Sequence, residues 1–367
     1  MKVDIFSVHG APSEYIVSEG ILDILEEKLA ERSYRKILFV HGIKSWEAAK
    51  EYIPEFHEIQ FEQYSYSGEC SINEIDSLSS FIKRKSFDAV IGIGGGKVLD
   101  LVKAASYLSQ KPYVLIPTLA SNCAPWTPIS VIYDERGAFI RYDIYPNNAS
   151  LVLIEPKIIV KAPIEMLIAG IGDTLAKWYE ADVQMSKIKD KSVPVLISHF
   201  SARQCKDLLV NHAEAAIDAA KNGVLNADFI KVVETIIALG GMVGGFGDHY
   251  GRIAGAHSIH NGLTVLEETH SALHGEKVAY GILVQLILEN KLDEIKELLP
   301  LYKKLGLPVS IKDLGVTDVL DESINRVAEK STIPGESIHV MPIGTITAAD
   351  VSEAINKLEQ YTEANNA

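Results

Sequence analysis

The sequence predicts an α/β fold in its first half, a parallel sheet with helices on both faces, followed by an all-helical second half. Three observations carry the prediction. Short apolar runs alternate with amphipathic helical patterns up to about residue 160, and the strand signal then nearly disappears. Between them, Ile91-Gly92-Ile93-Gly94-Gly95-Gly96-Lys97-Val98-Leu99-Asp100 joins a buried strand to a helix through three consecutive glycines. Strand–helix alternation of this length implies a parallel sheet.

In chain order, Ile21, Leu22, Leu25 and Leu29 mark a helix, Ile37-Leu38-Phe39-Val40 a strand, and Ile75, Leu78 and Ile82 a second helix. Asp88 to Ile93 is the next strand, and Val98, Leu101, Val102 and Ala105 recur at helical spacing behind it. Tyr113-Val114-Leu115-Ile116 makes a strand before Pro117, and Leu151-Val152-Leu153-Ile154 leads into a join at Pro156 to Pro163. Beyond it, Phe229, Val232, Val233, Ile236 and Ile237 mark one helix face, and Leu283, Leu286 and Ile287 another. The expected domains are 1–162 and 163–367, packed directly because no low-complexity linker or internal repeat separates them. The polar tail from Glu359 to Ala367 reads as frayed.

Phe87-Asp88-Ala89-Val90-Ile91 runs into the glycines, and a helix opens behind them. A helix N-terminus offers unpaired N–H groups and the positive end of its dipole, and residues without side chains let a diphosphate approach. The run therefore reads as a phosphate-binding turn, with an ordinary tight strand–helix turn as the alternative. It is not the GxGxxG fingerprint, because Lys97 stands at the last glycine position, and no Gly-Lys-Ser/Thr follows to make a P-loop. Ligands on parallel sheets bind at the carboxyl ends of strands, where Gly94, Gly95 and Gly96 fall.

The bulk numbers exclude several function classes. A chain of 367 residues is long for one core. Its 47% apolar and 23% charged residues suit a soluble globular protein. A net charge of −14 without an offsetting Lys/Arg block argues against a nucleic-acid partner. Met1-Lys2-Val3-Asp4 lacks the apolar run of a signal peptide, and no segment approaches the roughly 18 apolar residues of a membrane span. Cys70, Cys123 and Cys205 are widely spaced and form no CxxC pair, which fits a reducing cytoplasm.

Five of the eleven histidines, His249, His257, His260, His270 and His274, lie within 26 residues. His257 and His260 are spaced i,i+3 and His270 and His274 i,i+4, which places each pair on one helix face. Neutral imidazole is a good ligand for zinc or iron, so the cluster points to a divalent metal. Surface or capping histidines are the alternative for each taken singly. Asp173 is the natural carboxylate partner, since an unpaired carboxylate in its apolar helical context is costly. It reads equally as the N-cap of the helix that follows.

With these pieces assembled, the chain resembles the glycerol dehydrogenase group of the iron-containing (metal-dependent) alcohol dehydrogenase superfamily. The carrying motifs are Gly94 to Asp100 with Lys103, Pro117-Thr118-Leu119-Ala120-Ser121, Ser130 to Tyr133, Ala169 to Asp173, His257 to Gly262, and His274 to Ala279. The resemblance implies a Rossmann-like NAD(P) domain and a helical metal-binding domain, a dehydroquinate synthase-like architecture with its active site in the cleft. It implies metal ligands at Asp173, His257 and His274. It implies cofactor contacts at Gly94, Gly95, Gly96, Lys97, Val98, Asp100, Thr118, Leu119, Ser121, Thr127, Ile129 and Tyr133, with Gly42 and Lys44 beside the adenosine ribose. It also implies a small-molecule substrate and a homo-oligomer.

Iron enzymes of the family carry a fourth ligand, a histidine one turn after the aspartate; here that position is Lys177. Three ligands with an open position look like catalytic zinc, acting as a Lewis acid on a substrate oxygen while hydride passes to or from the nicotinamide. His260 and His270 are left as supporting or proton-relay candidates. Glycerol dehydrogenases have an aspartate where this chain has Cys123, and the Cys-Ala-x-Trp-Thr-Pro run looks more like bacterial hydroxycarboxylate dehydrogenases. Losing that carboxylate and gaining Lys177 favours an anionic substrate, so 2-hydroxy acid and 2-oxo acid interconversion is expected, with glycerol oxidation as the alternative. Where NAD enzymes of the superfamily place an aspartate, this chain has Gly42, so NADP is a candidate beside NAD, with Lys44 or His41 to meet a 2′-phosphate. A dehydroquinate synthase-like lyase is the remoter alternative.

Overall fold

The computed structural model describes residues 6–317 and 321–365, so the reading at Met1-Lys2-Val3-Asp4 lies outside the described residues. The chain divides into two compact units. One holds His9–Pro163 with Ala219–Gly241; the other holds Ile164–Asp218, the chain from Met242 onward and the described residues before His9. Two segments thus differ from the contiguous division at 162/163. Helical periodicity at Phe229 to Ile237 predicts a helix but says nothing about which core receives its apolar face.

The α/β unit has eight strands: β1 (Tyr15–Val17), β2 (Lys36–His41), β3 (Gln60–Ser65), β4 (Ala89–Gly94), β5 (Tyr113–Pro117), β6 (Ile129–Tyr133), β7 (Phe139–Ile144) and β8 (Leu151–Ile154). Six form one parallel sheet in the order β1-β8-β5-β4-β2-β3, while β6 and β7 make a separate antiparallel hairpin. Its helices are α1 (Leu25–Ala30), α2 (Ile43–Ala49), α3 (Ile72–Lys85), α4 (Gly96–Ser109) and the short α5 (Pro156–Ile159).

Ile37 and Phe39, Ala89, Ile91 and Ile93, Val114 and Ile116, and Leu151 and Leu153 share one buried cluster with Leu22, Leu25 and Leu29. The alternate residues Leu38, Val40, Val90, Leu115, Val152 and Ile154 are buried as well. Burial on both faces is what makes these strands continuous apolar runs, legible without structure. Edge strand β3 reads Gln-Phe-Glu-Gln-Tyr-Ser and is largely exposed, so no apolar run announces it. From β2 the chain steps outward to β3, returns to β4 and then builds the other way. The strand order therefore reverses between β2 and β4, and Gly42 and Gly94–Gly96 follow those two strands at the switch point where such sheets bind ligands.

The remaining helices are α6 (Ile164–Met185), α7 (Val193–Lys221), α8 (Ala227–Glu234), α9 (Gly240–Gly247), α10 (Gly255–Leu263), α11 (His274–Leu288), α12 (Leu292–Leu305), α13 (Asp321–Ser331) and α14 (Ala348–Asn365). Of these, α8 and the π turn Thr235–Leu239 belong to the α/β unit. Among the described residues no strand follows Ile154.

Glycines set the spacing around the histidines. A Cβ on Gly275 of α11 would lie 1.8 Å from the Ala169 carbonyl oxygen of α6, and one on Gly172 would lie 2.6 Å from the Gly275 carbonyl oxygen. Helices α10 and α11 touch likewise, a Cβ on Gly281 falling 2.3 Å from the Ala256 carbonyl oxygen. Each contact adjoins a candidate site residue: Asp173 follows Gly172, His274 precedes Gly275, and His257 follows Ala256.

Two expectations are corrected here. The tail is not frayed from Glu359: α14 continues to Asn365, with Leu358 and Thr362 buried. And one helical run, Ala227–Gly251, is long and apolar enough by length and composition to cross a membrane, although over half of its apolar window is buried inside the protein.

Candidate active site

Asp173 lies in the middle of α6, which removes the N-cap alternative. Its Oδ1 is 3.5 Å from Nε2 of His257 on α10 and 3.3 Å from Nε2 of His274, the first residue of α11. One donor atom from each of the three residues lies within 4.8 Å of the others. Helix α11 begins at His274 because the Glu276 carboxylate accepts the Leu273 N–H at 2.6 Å. Asp173 is buried, His257 partly so, and His274 opens to solvent.

The opposite ring edges are held as well. Nδ1 of His257 lies 2.7 Å from Glu180 Oε2, and the other Glu180 oxygen accepts the N–H groups of Ala254 (2.7 Å) and His257 (3.0 Å). Nδ1 of His274 lies 3.0 Å from Nε2 of His260, whose own Nδ1 lies 3.0 Å from Asn261 Oδ1. Both histidines therefore turn Nε2 toward Asp173.

Electrostatics follow from these contacts. Burial opposes ionisation of Asp173, but Lys177, His257 and His274 outweigh it and hold its carboxyl well below the usual range. Burial likewise disfavours an imidazolium at His257, yet the carboxylates of Glu180 and Asp173 raise its pKa to about 9. His260 moves the other way, far below the usual histidine value, through burial and its neighbours His274 and His257. Lys177 is partly buried one turn beyond Asp173, and its charge acts on both Asp173 and His257.

The i,i+3 pair His257/His260 does share α10. The i,i+4 pair His270/His274 does not share a helix: His270 sits on the 3₁₀ turn Glu267–Ser271, and extended backbone at Ala272 and Leu273 separates it from α11. His270 is exposed and bonds the Thr264 carbonyl oxygen at 3.1 Å, away from the three-residue cluster. The His249 ring meets Phe6 edge-on and lies tilted against Tyr250. Glu180 was legible in principle, because Asp173, Lys177 and Glu180 follow at i, i+4 and i+7 on one helix. Asn261 and Glu336 carried no such signal.

In the α/β unit, Gly94 ends β4, Gly95 is the N-cap of α4 and Gly96 its first residue. None has positive φ. Their surroundings are close: a Cβ would meet Val98 at 2.8 Å, the end of the Leu119 side chain at 2.8 Å and the Asn122 amide at 3.0 Å, respectively. Thr118 donates its N–H to the Gly94 carbonyl at 3.1 Å, and Ser121 lies half-buried in the same turn. Lys97 pairs with Glu69 at 2.6 Å and lies over the Tyr133 ring.

Asp100 is not available to a cofactor. It is buried, pairs with Lys103 at 2.8 Å and accepts the Val131 N–H at 2.9 Å. Fully buried Lys103 also donates to the carbonyl oxygens of Ala124 (2.9 Å), Thr127 (3.2 Å) and Ile129. The pair thus pins the Cys123–Ile129 segment to α4. Val98 is buried too, packing on Gly94. Cys123 is half-buried, and its carbonyl accepts the Trp126 N–H at 3.0 Å. Gly42 is the N-cap of α2, with the Tyr66 ring 2.9 Å from where its Cβ would stand, and Lys44 is exposed on the first turn. His41 is withdrawn: it is buried, stacks on Trp46 and bonds Gln63 at 3.2 Å.

Comparison with known proteins shows the family. The family profile described as iron-containing alcohol dehydrogenase matches residues 12–156. Hydroxycarboxylate dehydrogenase A of Escherichia coli (strain K12) is 37% identical over 354 residues, 95% of this chain and 96% of that protein. Glycerol dehydrogenase of Thermotoga maritima is 36% identical over 359 residues, with the same coverage of 95% and 96%. The crystal structure of a probable glycerol dehydrogenase from Sinorhizobium meliloti 1021 superposes with a TM-score of 0.86 at 32% identity, covering 98% of this chain and 99% of that one. The chain belongs to the iron-containing alcohol dehydrogenase family and is an oxidoreductase of that alcohol-acting type.

Proposed function

We propose that the chain is a zinc-dependent, NAD(P)(H)-linked dehydrogenase that interconverts a 2-hydroxy acid and its 2-oxo acid. The observation that carries the reading is the convergence of Asp173 Oδ1 with Nε2 of His257 and of His274. Metal bonds of about 2.0 Å in a tetrahedral array put neighbouring donors about 3.3 Å apart. The observed separations of 3.3 and 3.5 Å fit that set, and one carboxylate with two imidazoles suits zinc. When bound, the metal contributes Lewis acidity at the substrate oxygen and the nicotinamide contributes the hydride site.

The chain's own groups supply the rest. Asp173 stays ionised, and Glu180 and His260 engage both Nδ1 atoms, so that both Nε2 atoms face inward, where a metal would replace their protons. The helical unit holds the metal. The α/β unit takes the cofactor, with N–H groups at Gly95 and Gly96 receiving the diphosphate at the start of α4. Lys177, whose charge already acts on Asp173, attracts a substrate carboxylate. Gly42 presents no carboxylate to a 2′-phosphate and Lys44 lies exposed two residues on, which supports NADP beside NAD.

Glycerol oxidation to dihydroxyacetone is the second reading, supported by the recurrence of glycerol dehydrogenases among the relatives. A panel of 2-oxo acids, dihydroxyacetone and glycerol, crossed with both cofactors on metal-analysed protein, separates the two. Higher kcat/KM for 2-oxo acids supports the first; a preference for glycerol replaces it with the second. We place the protein in the cytoplasm as a homo-oligomer, in keeping with its cysteine usage and the exposed Val193, Leu196 and Phe200 on one face of α7.

A further inference from the structure

We infer that Glu336, acting through Asn261 and His260, sets the tautomer of His274, so that a distant carboxylate does for His274 what Glu180 does for His257 by direct contact. The inference rests on reading Asp173, His257 and His274 as a metal site. It follows from donor and acceptor bookkeeping along one chain of contacts. Asn261 Nδ2 lies 3.0 and 3.3 Å from the two Glu336 oxygens. An ionised carboxylate only accepts, so the Asn261 amide must present its NH₂ to Glu336 and its Oδ1 to His260.

That oxygen in turn only accepts, so the proton of His260 sits on Nδ1, 3.0 Å from it. A neutral His260 then has only a lone pair on Nε2, and His274 must donate its Nδ1–H across the 3.0 Å contact. Nδ1 of His274 therefore carries a hydrogen whether the ring is neutral or charged, and Nε2, which faces Asp173, is the nitrogen left to ligate once a metal replaces any proton shared with that carboxylate. Every link has one polarity once the first is an acceptor.

Glu336 is itself held over Asn261. It immediately precedes the 3₁₀ turn Ser337–Val340, and that turn is tied to α10. Ser337 Oγ donates to the Ala254 carbonyl at 2.6 Å, and Ser258 Oγ accepts the Ile338 N–H at 2.8 Å. These bonds fix the position of the carboxylate without involving the site. Glutamine at 336 keeps the shape but both donates and accepts. The Asn261 amide could then turn over and the whole chain run backwards, leaving a proton on His274 Nε2.

The test uses the metal-free full-length protein labelled with ¹⁵N-histidine, followed by zinc titration against a competing chelator. Wild type should show His260 and His274 protonated at Nδ1. Glu336→Gln should mix the tautomers and weaken zinc binding roughly 10-fold or more, the usual consequence of losing an outer hydrogen-bond partner of a ligand. Asn261→Leu, which cuts the chain but leaves Glu336 in place, should weaken zinc binding likewise, with unchanged circular dichroism in both variants. A wild-type His274 or His260 without a proton on Nδ1, or wild-type zinc affinity in both variants, overturns this inference alone. Failure of the wild-type protein to bind zinc overturns the metal reading and this inference with it.

Discussion

Replacing Gly275 by alanine tests whether glycine contacts set the geometry of the site. The added Cβ would lie 1.8 Å from the Ala169 carbonyl oxygen and 2.5 Å from its carbon, both backbone atoms of α6. No side chain can swing aside, so ordinary contact needs the helices to part by about 1.6 Å, a shift that cores resist. His274 adjoins the substituted residue, so the displacement enters its 3.3 Å separation from Asp173 almost directly. Metal–ligand distances tolerate only about 0.2 Å. The overpacking costs about 1–3 kcal/mol, which leaves a folded protein. The expected result is a protein with near-native circular dichroism whose zinc dissociation constant rises at least roughly 100-fold, since one ligand is lost outright. Zinc affinity equal to wild type in the folded variant would refute the argument that the α6–α11 backbone contact sets the ligand spacing.

Three further outcomes are expected. Lys177→Ala should lower kcat/KM for 2-oxo acids by about 2 kcal/mol, roughly 30-fold, while neutral ketones lose little; equal losses for both would remove the carboxylate role. Gly42→Asp should shift preference toward NAD, because its carboxylate repels a 2′-phosphate, and titration with both nucleotides reads this directly. The new Cβ meets the edge of the Tyr66 ring at 2.9 Å, a side chain that can turn away, so the variant should fold. Lys103→Met should destabilise the protein by about 3–5 kcal/mol in urea unfolding, because Asp100 is left as a buried charge without its partner.

A candidate metal site was legible in residue types, but much of what surrounds it was not. Asp173 and the histidines stand out because a carboxylate in an apolar helix and five clustered imidazoles are both costly without a task. His270 misled because i,i+4 spacing implies a shared face only inside one helix, and extended backbone at Ala272 and Leu273 intervenes. Asp100 misled because it lies in the glycine-run motif, while its carboxylate is spent on Lys103 and Val131. The glycines of the β4–α4 turn were visible by their number, but the side chains packed over Gly95 and Gly96, Leu119 and Asn122, lie more than twenty residues away.

From sequence alone came the doubly covered parallel strands and the helical second half, since burial on both faces leaves local marks, while the grouping of Asp173 with His257 and His274 was expected through the family resemblance and is the group that the fold brings together. Tertiary structure alone decided that Phe229 to Ile237 packs in the α/β unit, that His41 turns inward, and that Glu180 and Glu336 stand behind the two histidines. Those outcomes depend on contacts between segments far apart in the chain, such as Ser258 with Ser337, 79 residues apart. Local periodicity shows that a face must be buried and a polar group satisfied; only the folded chain selects the partner.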